Sequence, residues 1–298
     1  MTNFASYYWL GKPGGRVGMV QGPLVNVGTT IPMNRGEQSH DLISGGITTF
    51  KAPLTKRAWQ FQRDWLSSDE QEVLRGFYSG LFDVGPFRFY DPSEVNLLDE
   101  DASTFGRATS DLSFWKPTTA TYVADTDTST RDVANLSTRA SAMVQLSAIT
   151  AAGGLGSNSA LLPFNAVPVL TGAGMPFSFS IYAIKTAGTG SPTIQLYVKG
   201  ANTVSATAVA VSTSLTRYTL TATAAALGVS NYIDCGVVFP VVGTGLIVKL
   251  CAPQLEMGSI ASPYRIGYGV ASVSFNSGIT QTVPRTRSHS ASWTLAEI

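Results

Sequence analysis

Phe177-Ser178-Phe179-Ser180-Ile181-Tyr182 and Thr193-Ile194-Gln195-Leu196-Tyr197-Val198 alternate larger apolar residues with small or polar ones at a period of two. Successive side chains of a strand point to opposite faces, so each run predicts a strand with one face buried. Arg217-Tyr218-Thr219-Leu220-Thr221 and the stretch from Gly245 to Cys251 repeat the pattern. Several such strands separated by Gly, Ser and Pro turns predict a β-sandwich. The composition agrees: charged residues make up only 13% of the 298, a mix that suits short strands and turns better than long amphipathic helices.

Outward from this region the texture changes on both sides. On the N-terminal side, Tyr7 to Leu10 and Val17 to Val27 read as short strands around the turn Gly11-Lys12-Pro13-Gly14-Gly15, the second interrupted by Gly22-Pro23. Trp59 and Phe61 share one face of a further strand, with Arg57, Gln60 and Gln62 on or near the other. A helix is predicted from Ser67 to Gly80. Ser67 and Glu70 have capping-box spacing, and Val73, Leu74, Phe77 and Leu81 recur at helical intervals as its buried face. Pro86 to Tyr90 forms a strand closed by the turn Asp91-Pro92-Ser93.

After Tyr268-Gly269 come Ala271 to Asn276 and Ser288 to Leu295, too few residues to fold alone because a lone hairpin is marginal in water. The economical solution is that 269–298 complete the sheet of 1–95, with 96–268 inserted as a separate sandwich whose ends lie close together. The chain is long enough for two cores. The fold class is therefore mostly β: a β-domain with one short helix, carrying an inserted β-sandwich.

Charge and motif content narrow the function. With a net charge of +1 and interspersed signs, the chain lacks the basic stripe that binding nucleic-acid phosphates requires. No run approaches the ~20 apolar residues of a membrane-spanning helix. The first residues, Met1 to Ser6, lack the basic and apolar regions of a signal peptide, which implies a soluble protein made in the cytoplasm. Cys235 and Cys251 sit in apolar runs and read as buried thiols rather than a disulfide. His40 and His289 are the only histidines, far apart and flanked by polar residues, and there is no Gly-x-Ser-x-Gly elbow. Asp99, Glu100 and Asp101 supply carboxylates of the kind glycoside hydrolysis uses, but as adjacent acids at a junction they read first as a solvated linker. Catalysis ranks below binding, and no enzyme is expected.

Two resemblances add to this reading. Trp59-Gln60-Phe61, Trp65, Glu70, Leu74, Phe77-Tyr78, Gly85-Pro86-Phe87 and Asp91-Pro92 resemble the tail-tip proteins of long-tailed phages, the distal-tail and minor-tail group. That resemblance covers about the first 95 residues and implies a β-domain that forms a homo-oligomeric ring at the virion tail tip or baseplate, against the tail tube and tail-tip hub. The run Leu250 to Tyr264, with Gln254-Leu255-Glu256, Gly258 and Pro263-Tyr264, resembles the last strand and exit of the jelly-roll carbohydrate-binding modules found on phage tail proteins. Asn96-Leu97-Leu98 is similar to the entry of such modules, and Phe177 to Tyr182 to their first core strand after it.

The second resemblance implies a sugar site and a structural metal. Aromatic rings stack on the apolar face of a pyranose, and Trp115, Tyr122, Tyr197 and Tyr232 are the candidate carbohydrate-binding residues, with core packing as the alternative for each. Asp99, Asp101 and Glu256 are the candidate ligands of a structural Ca2+, the alternative being loop acids and a backbone-bonded Glu. The expected role is a structural tail protein, made in the host cytoplasm, whose sandwich contacts host cell-wall glycan. A purely architectural protomer is the alternative, with a tail-associated cell-wall hydrolase third.

Overall fold

The computed structural model describes residues 8–12, 19–22, 33–34, 37–41, 47–51, 56–91, 95–106, 115–125, 143–150, 153–157, 176–228, 233–267, 271–276, 279–285 and 288–298. The chain divides into two compact units, one formed by Ser6–Tyr90 with Ala271–Ile298 and the other by Asp91–Val270. Both are built mainly of antiparallel strands. Among the described residues no helix is long and apolar enough to cross a membrane.

The discontinuous unit begins with β1 (Trp9–Gly11), β2 (Met19–Gln21), β3 (Met33–Asn34), β4 (Glu37–Asp41), β5 (Ile47–Lys51) and β6 (Lys56–Leu66). Helix α1 (Ser68–Tyr78) and β7 (Phe87–Tyr90) follow. The helix starts where the sequence predicts: the Ser67 hydroxyl accepts from Glu70 N, and the Glu70 carboxylate accepts from Ser67 N at 2.8 Å. Its packed face is Leu74 and Phe77 with part of Val73, whereas Leu81 is exposed. The helical spacing does not extend to Leu81 because the backbone turns at Ser79 and Gly80, the latter with φ +73°.

The Asp91–Val270 unit contains α2 (Glu100–Thr104), β8 (Trp115–Thr118), β9 (Thr121–Asp125), β10 (Met143–Ser147) and β11 (Gly153–Ser157). It continues with β12 (Pro176–Ala187), β13 (Thr193–Lys199), β14 (Thr203–Ser205), β15 (Val209–Ala210), β16 (Thr216–Thr223), α3 (Ala224–Leu227), β17 (Asp234–Val241) and β18 (Ile247–Met257). The chain then returns to the first unit with β19 (Ala271–Phe275), β20 (Thr280–Arg285) and β21 (Ser288–Glu297).

These last strands sit inside the first unit's sheet, not at its edge. The order is β2-β1-β7-β19-β21-β6-β3, with β20 paired to β21, so among the described residues the C-terminal strands β19 and β21 join β7 to β6. Tyr8, Trp59, Phe61, Phe89 and Trp293 pack their rings together, with Phe61 and Trp293 centroids 5.4 Å apart. Arg57 departs from the expected pattern: it shares the Trp59 side, its guanidinium 5.0 Å from the Trp59 ring and bonded to both Glu297 carboxylate oxygens. The long arm closes the rim of the core while the charge keeps a partner.

The second unit is a β-sandwich of a five-stranded sheet, β16-β12-β18-β10-β9, and a six-stranded sheet, β14-β13-β17-β11-β8 with β15 on β13. From β12 onward the longer strands alternate between sheets: β12, β16 and β18 lie in the first, β13 and β17 in the second. This is the crossing pattern of a jelly roll. Its interior is filled from both sides by Val144, Leu146, Phe177, Phe179, Ile181, Ile194, Leu196, Val198, Val237, Phe239, Val248 and Leu250. Phe177 does not begin the first core strand, because β8 to β11 precede it. Cys235 and Cys251 are both buried and not joined in a disulfide, and they lie in different sheets.

Candidate functional site

The jelly-roll-like motif proves to be a latch inside the sandwich unit. In β18 the pairing with β12 passes from Ser180↔Gln254 to Tyr182↔Cys251, so β18 carries one extra residue. Ala252 takes up this bulge with φ 52°. Gln254 and Glu256 thereby face the same side as Ser180 and Ser178, where residues 258–265 cover them. Gln254 Nε2 donates to Glu256 Oε1 (2.9 Å) and to Ser262 Oγ (3.0 Å), while its Oε1 accepts from Arg265 N (2.8 Å). Glu256 Oε1 also accepts from Ser262 N. Ser178 Oγ donates to Gly258 O, and Tyr264 Oη reaches Ser103 O at 2.8 Å.

Asn96 performs the matching role at the entry. Its Nδ2 donates to Pro253 O and Arg265 O, and its Oδ1 accepts from Leu98 N and Leu255 N. One amide thus ties both ends of the unit to β18. Buried polar groups are tolerated when they are bonded in this way.

Two of the three candidate metal ligands, Asp99 and Glu256, serve the same framework. Asp99 is the N-cap of α2, its Oδ1 accepting from Ala102 N at 2.7 Å. Glu256 is engaged as above. Asp99, Asp101 and Glu256 do not form a metal cluster: among the described residues no three His, Cys, Asp or Glu side chains gather to hold an ion. The acids at 99–101 belong to a short capped helix, not to a solvated linker.

The four aromatics separate by position. Trp115 is 1% exposed, its Nε1 donates to Ala102 O at 2.9 Å, and its ring lies 5.4 Å from Phe105. It is a core residue, and the expectation that it faces a ligand is corrected. The parity of β8 explains this: Pro117, two residues on, pairs with buried Leu155, so Trp115 shares the inward face. Tyr122 stands opposite Leu146, whose side chain is fully buried, so it belongs to the interior side of an edge strand and not to an open face. Tyr232 lies outside the described residues.

Tyr197 alone of the described three is on an outward face. In β13, Ile194, Leu196 and Val198 are buried, which turns Gln195, Tyr197 and Lys199 away from the interior. Tyr197 pairs with Gly236, Gly236 with Gly156, and Gly156 with Lys116, forming one row across the sheet. A Cβ added at Gly156 would lie 2.3 Å from the Tyr197 hydroxyl, and one added at Gly236 2.8 Å from it. Neighbouring strands are about 4.8 Å apart, so the ring must recline across β17 to bring its hydroxyl over β11. The two glycines form the floor on which it lies.

Around the ring stand exposed Lys116, Thr118 and Lys199 with half-buried Gln195, Val238 and Asp234. Gln195 is fixed by donation to Ala206 O at 2.8 Å. Burial, followed by the proximity of Asp234 and Cys235, holds the Tyr197 phenol well above its ordinary value. The face therefore combines a neutral aromatic ring with amide, hydroxyl and charged groups, a set suited to a polar ligand with an apolar side.

Gly154, Gly156 and Gly236 were missed in the sequence reading. The available signal is Gly153-Gly154-Leu155-Gly156, where the residue between two glycines is buried and the glycines share a face. Gly154 is also pressed to backbone, since a Cβ there would meet Val237 O at 2.0 Å. His40 and His289 lie in β4 and β21, and only their backbone is described.

No protein-family model matches the chain, and no curated protein sequence does. Solved structures similar to it include an arabinose-bound α-L-arabinofuranosidase, with TM-score 0.40 and 16% identity, matched over 55% of this chain and 26% of that one. The chain thus spans about a quarter of that enzyme's length. The xylan-binding CBM22-1 domain of Paenibacillus barcinonensis Xyn10C matches over 49% of this chain and 87% of its own, with TM-score 0.36 and 11% identity. A tailspike protein of bacteriophage CBA120 matches over 55% of this chain and 22% of its own, with TM-score 0.36 and 14% identity.

Proposed function

We propose that this chain is a structural protein of a phage tail tip or baseplate whose sandwich holds a host surface glycan on the face around Tyr197. The observation that carries the glycan reading is the Tyr197 ring reclining over Gly156 and Gly236 on an outward sheet face. A ring laid along a sheet offers a flat apolar surface to the C–H side of a pyranose, and the flanking Gln195, Asp234 and Lys116 meet its hydroxyls. The resemblance of residues 59–92 to tail-tip proteins supports the tail role. The protein is made in the host cytoplasm, joins the tail tube and hub as a ring, and works as a non-catalytic adhesin. A ring repeats a weak site, so modest affinity per site suffices for attachment.

Gly156→Ala tests this reading. The methyl collides with the end of a movable side chain, so it displaces the Tyr197 ring at little cost to the fold. The expected result is loss of retention on host cell walls with an almost unchanged melting temperature. Retention equal to the parent, for both Gly156→Ala and Tyr197→Ala, refutes the site.

The purely architectural reading has an observation of its own in the first unit, where Trp65 is 61% exposed and Leu81 and Val84 are exposed too. Apolar side chains of that size in water are surface that a neighbouring tail protein would cover. If Trp65→Ser abolishes assembly with tail proteins while no change around Tyr197 alters retention on cell walls, the architectural reading replaces the adhesive one.

A further inference from the structure

The charge on the Tyr197 face is uneven. Lys199 stands directly opposite Asp234 in the β13–β17 ladder, which places an acid beside that cation. Lys116 has no such counterpart. Its partner across the ladder is Gly156, which has no side chain, and the other residue of β8 on this face is the uncharged Thr118. Lys116 is exposed and forms no hydrogen bond or ion pair among the described residues.

The position of this cation matters more than its exposure. The Tyr197 hydroxyl lies over Gly156, the residue paired with Lys116, so Lys116 leaves the sheet one strand beyond the polar end of the ring. Strand spacing puts that step at about 4.8 Å, within the sweep of a lysine side chain. A sugar ring stacked on Tyr197 therefore presents its substituents to Lys116 on that side. With two lysines against one aspartate, the described part of the face is also positive overall, which favours approach of an anion.

We propose that the glycan bound here is acidic, with the carboxylate or phosphate of a saccharide unit against Lys116. This rests on the reading of the Tyr197 face as a glycan site and adds the ligand's charge class to it. The ion pair forms at an exposed position, where such pairs contribute ~0.2–1 kcal/mol, a factor of about 1.4 to 5 in affinity per site. It weakens as salt shortens the screening length, which is ~8 Å at physiological ionic strength.

The experiment uses the full chain on three immobilised polymers: polygalacturonate, its fully methyl-esterified neutral form, and a polyglycerol phosphate bearing sugar substituents. The expected result is about 1.4- to fivefold tighter binding to one or both acidic polymers than to the neutral one at low salt. Lys116→Glu should remove that preference, leaving the melting temperature unchanged. Which acidic polymer is retained distinguishes carboxylate from phosphate. Equal retention on neutral and acidic polymers, or a preference that survives Lys116→Glu, overturns the acidic ligand and leaves the glycan site standing. No retention on any of the three overturns both.

Discussion

Replacing Trp115 by Ala separates a core residue from a ligand-binding one. The side chain is 1% exposed, packs on Phe105, and donates its indole N–H to Ala102 O at 2.9 Å. Truncating a buried Trp typically costs ~3–5 kcal/mol through lost burial and the remaining cavity. The Ala102 carbonyl loses a buried donor as well, which adds up to ~1–3 kcal/mol if no water replaces it. Even without that addition, a loss of ~4 kcal/mol is a large share of the ~5–15 kcal/mol that holds a typical domain folded. With a urea m-value of ~2 kcal/mol/M, the unfolding midpoint of the sandwich should fall by about 2 M. Urea titration of the full chain, followed by Trp fluorescence and far-UV dichroism, measures the shift. Trp115→Phe keeps a ring but not the N–H and should lie between parent and Ala. A midpoint moved by less than ~0.5 M, together with lost retention on cell walls, would return Trp115 to the ligand face and refute the assignment made from its burial.

Asn96→Ala removes four hydrogen bonds that join the entry and exit of the sandwich to β18. A loss of about 3 kcal/mol is expected by calorimetry or denaturant titration, and Asn96→Asp should fail to rescue it because a carboxylate cannot donate to Pro253 O and Arg265 O. Deleting 271–298 takes β19 and β21 from between β7 and β6, so only the transition of the sandwich should remain in a melting scan; survival of both would sink the split-unit reading. Burial raises the phenols of Tyr8 and Tyr197 above the ordinary value of 10.0, so beyond that pH the folded state holds protons that the unfolded state has released. Stability should be full below about pH 10 and decline above it. Tyr197→Phe should flatten that decline, as read from denaturant midpoints across alkaline pH.

Period-two alternation made β13 and β16 legible, because each pairs a buried file of residues with a more exposed one, whereas β12 alternates in residue size but is buried on both faces over Pro176–Ile181. The capping box at Ser67 and Glu70 fixed the start of α1 for a similarly local reason. Errors arose where a local pattern continued past the physics that produces it. Helical spacing reaches Leu81 in the sequence, but the chain has already turned at Gly80. Three adjacent acids suggest a solvated linker until Asp99 is seen capping the amide of Ala102. The latch formed by Gln254, Glu256 and Asn96 was visible only as a family pattern, since its bonds join residues up to 169 positions apart.

The aromatics show where sequence information ends. A run such as Ile194-Gln195-Leu196-Tyr197-Val198 contains enough parity to turn Tyr197 outward, because buried residues flank it on both sides. Trp115 begins a four-residue strand with Lys116 and Pro117 after it, and its face is set only by the register with β11. Glycine adds a second ambiguity. In a strand it weakens the local signal, and its reason for being there lies on another strand. Gly156 leaves open the space that the end of the Tyr197 side chain occupies, so β11, which looks poor as a strand in the linear chain, helps to create the face. A larger residue at position 156 would make a better local strand and a worse site, whereas at 236 it would meet the backbone of the next strand, Leu155 O at 2.4 Å. The local cost of the glycines is therefore evidence for the face itself, and it is the reason that Gly156→Ala, a change that improves strand propensity, is the sharper probe of function.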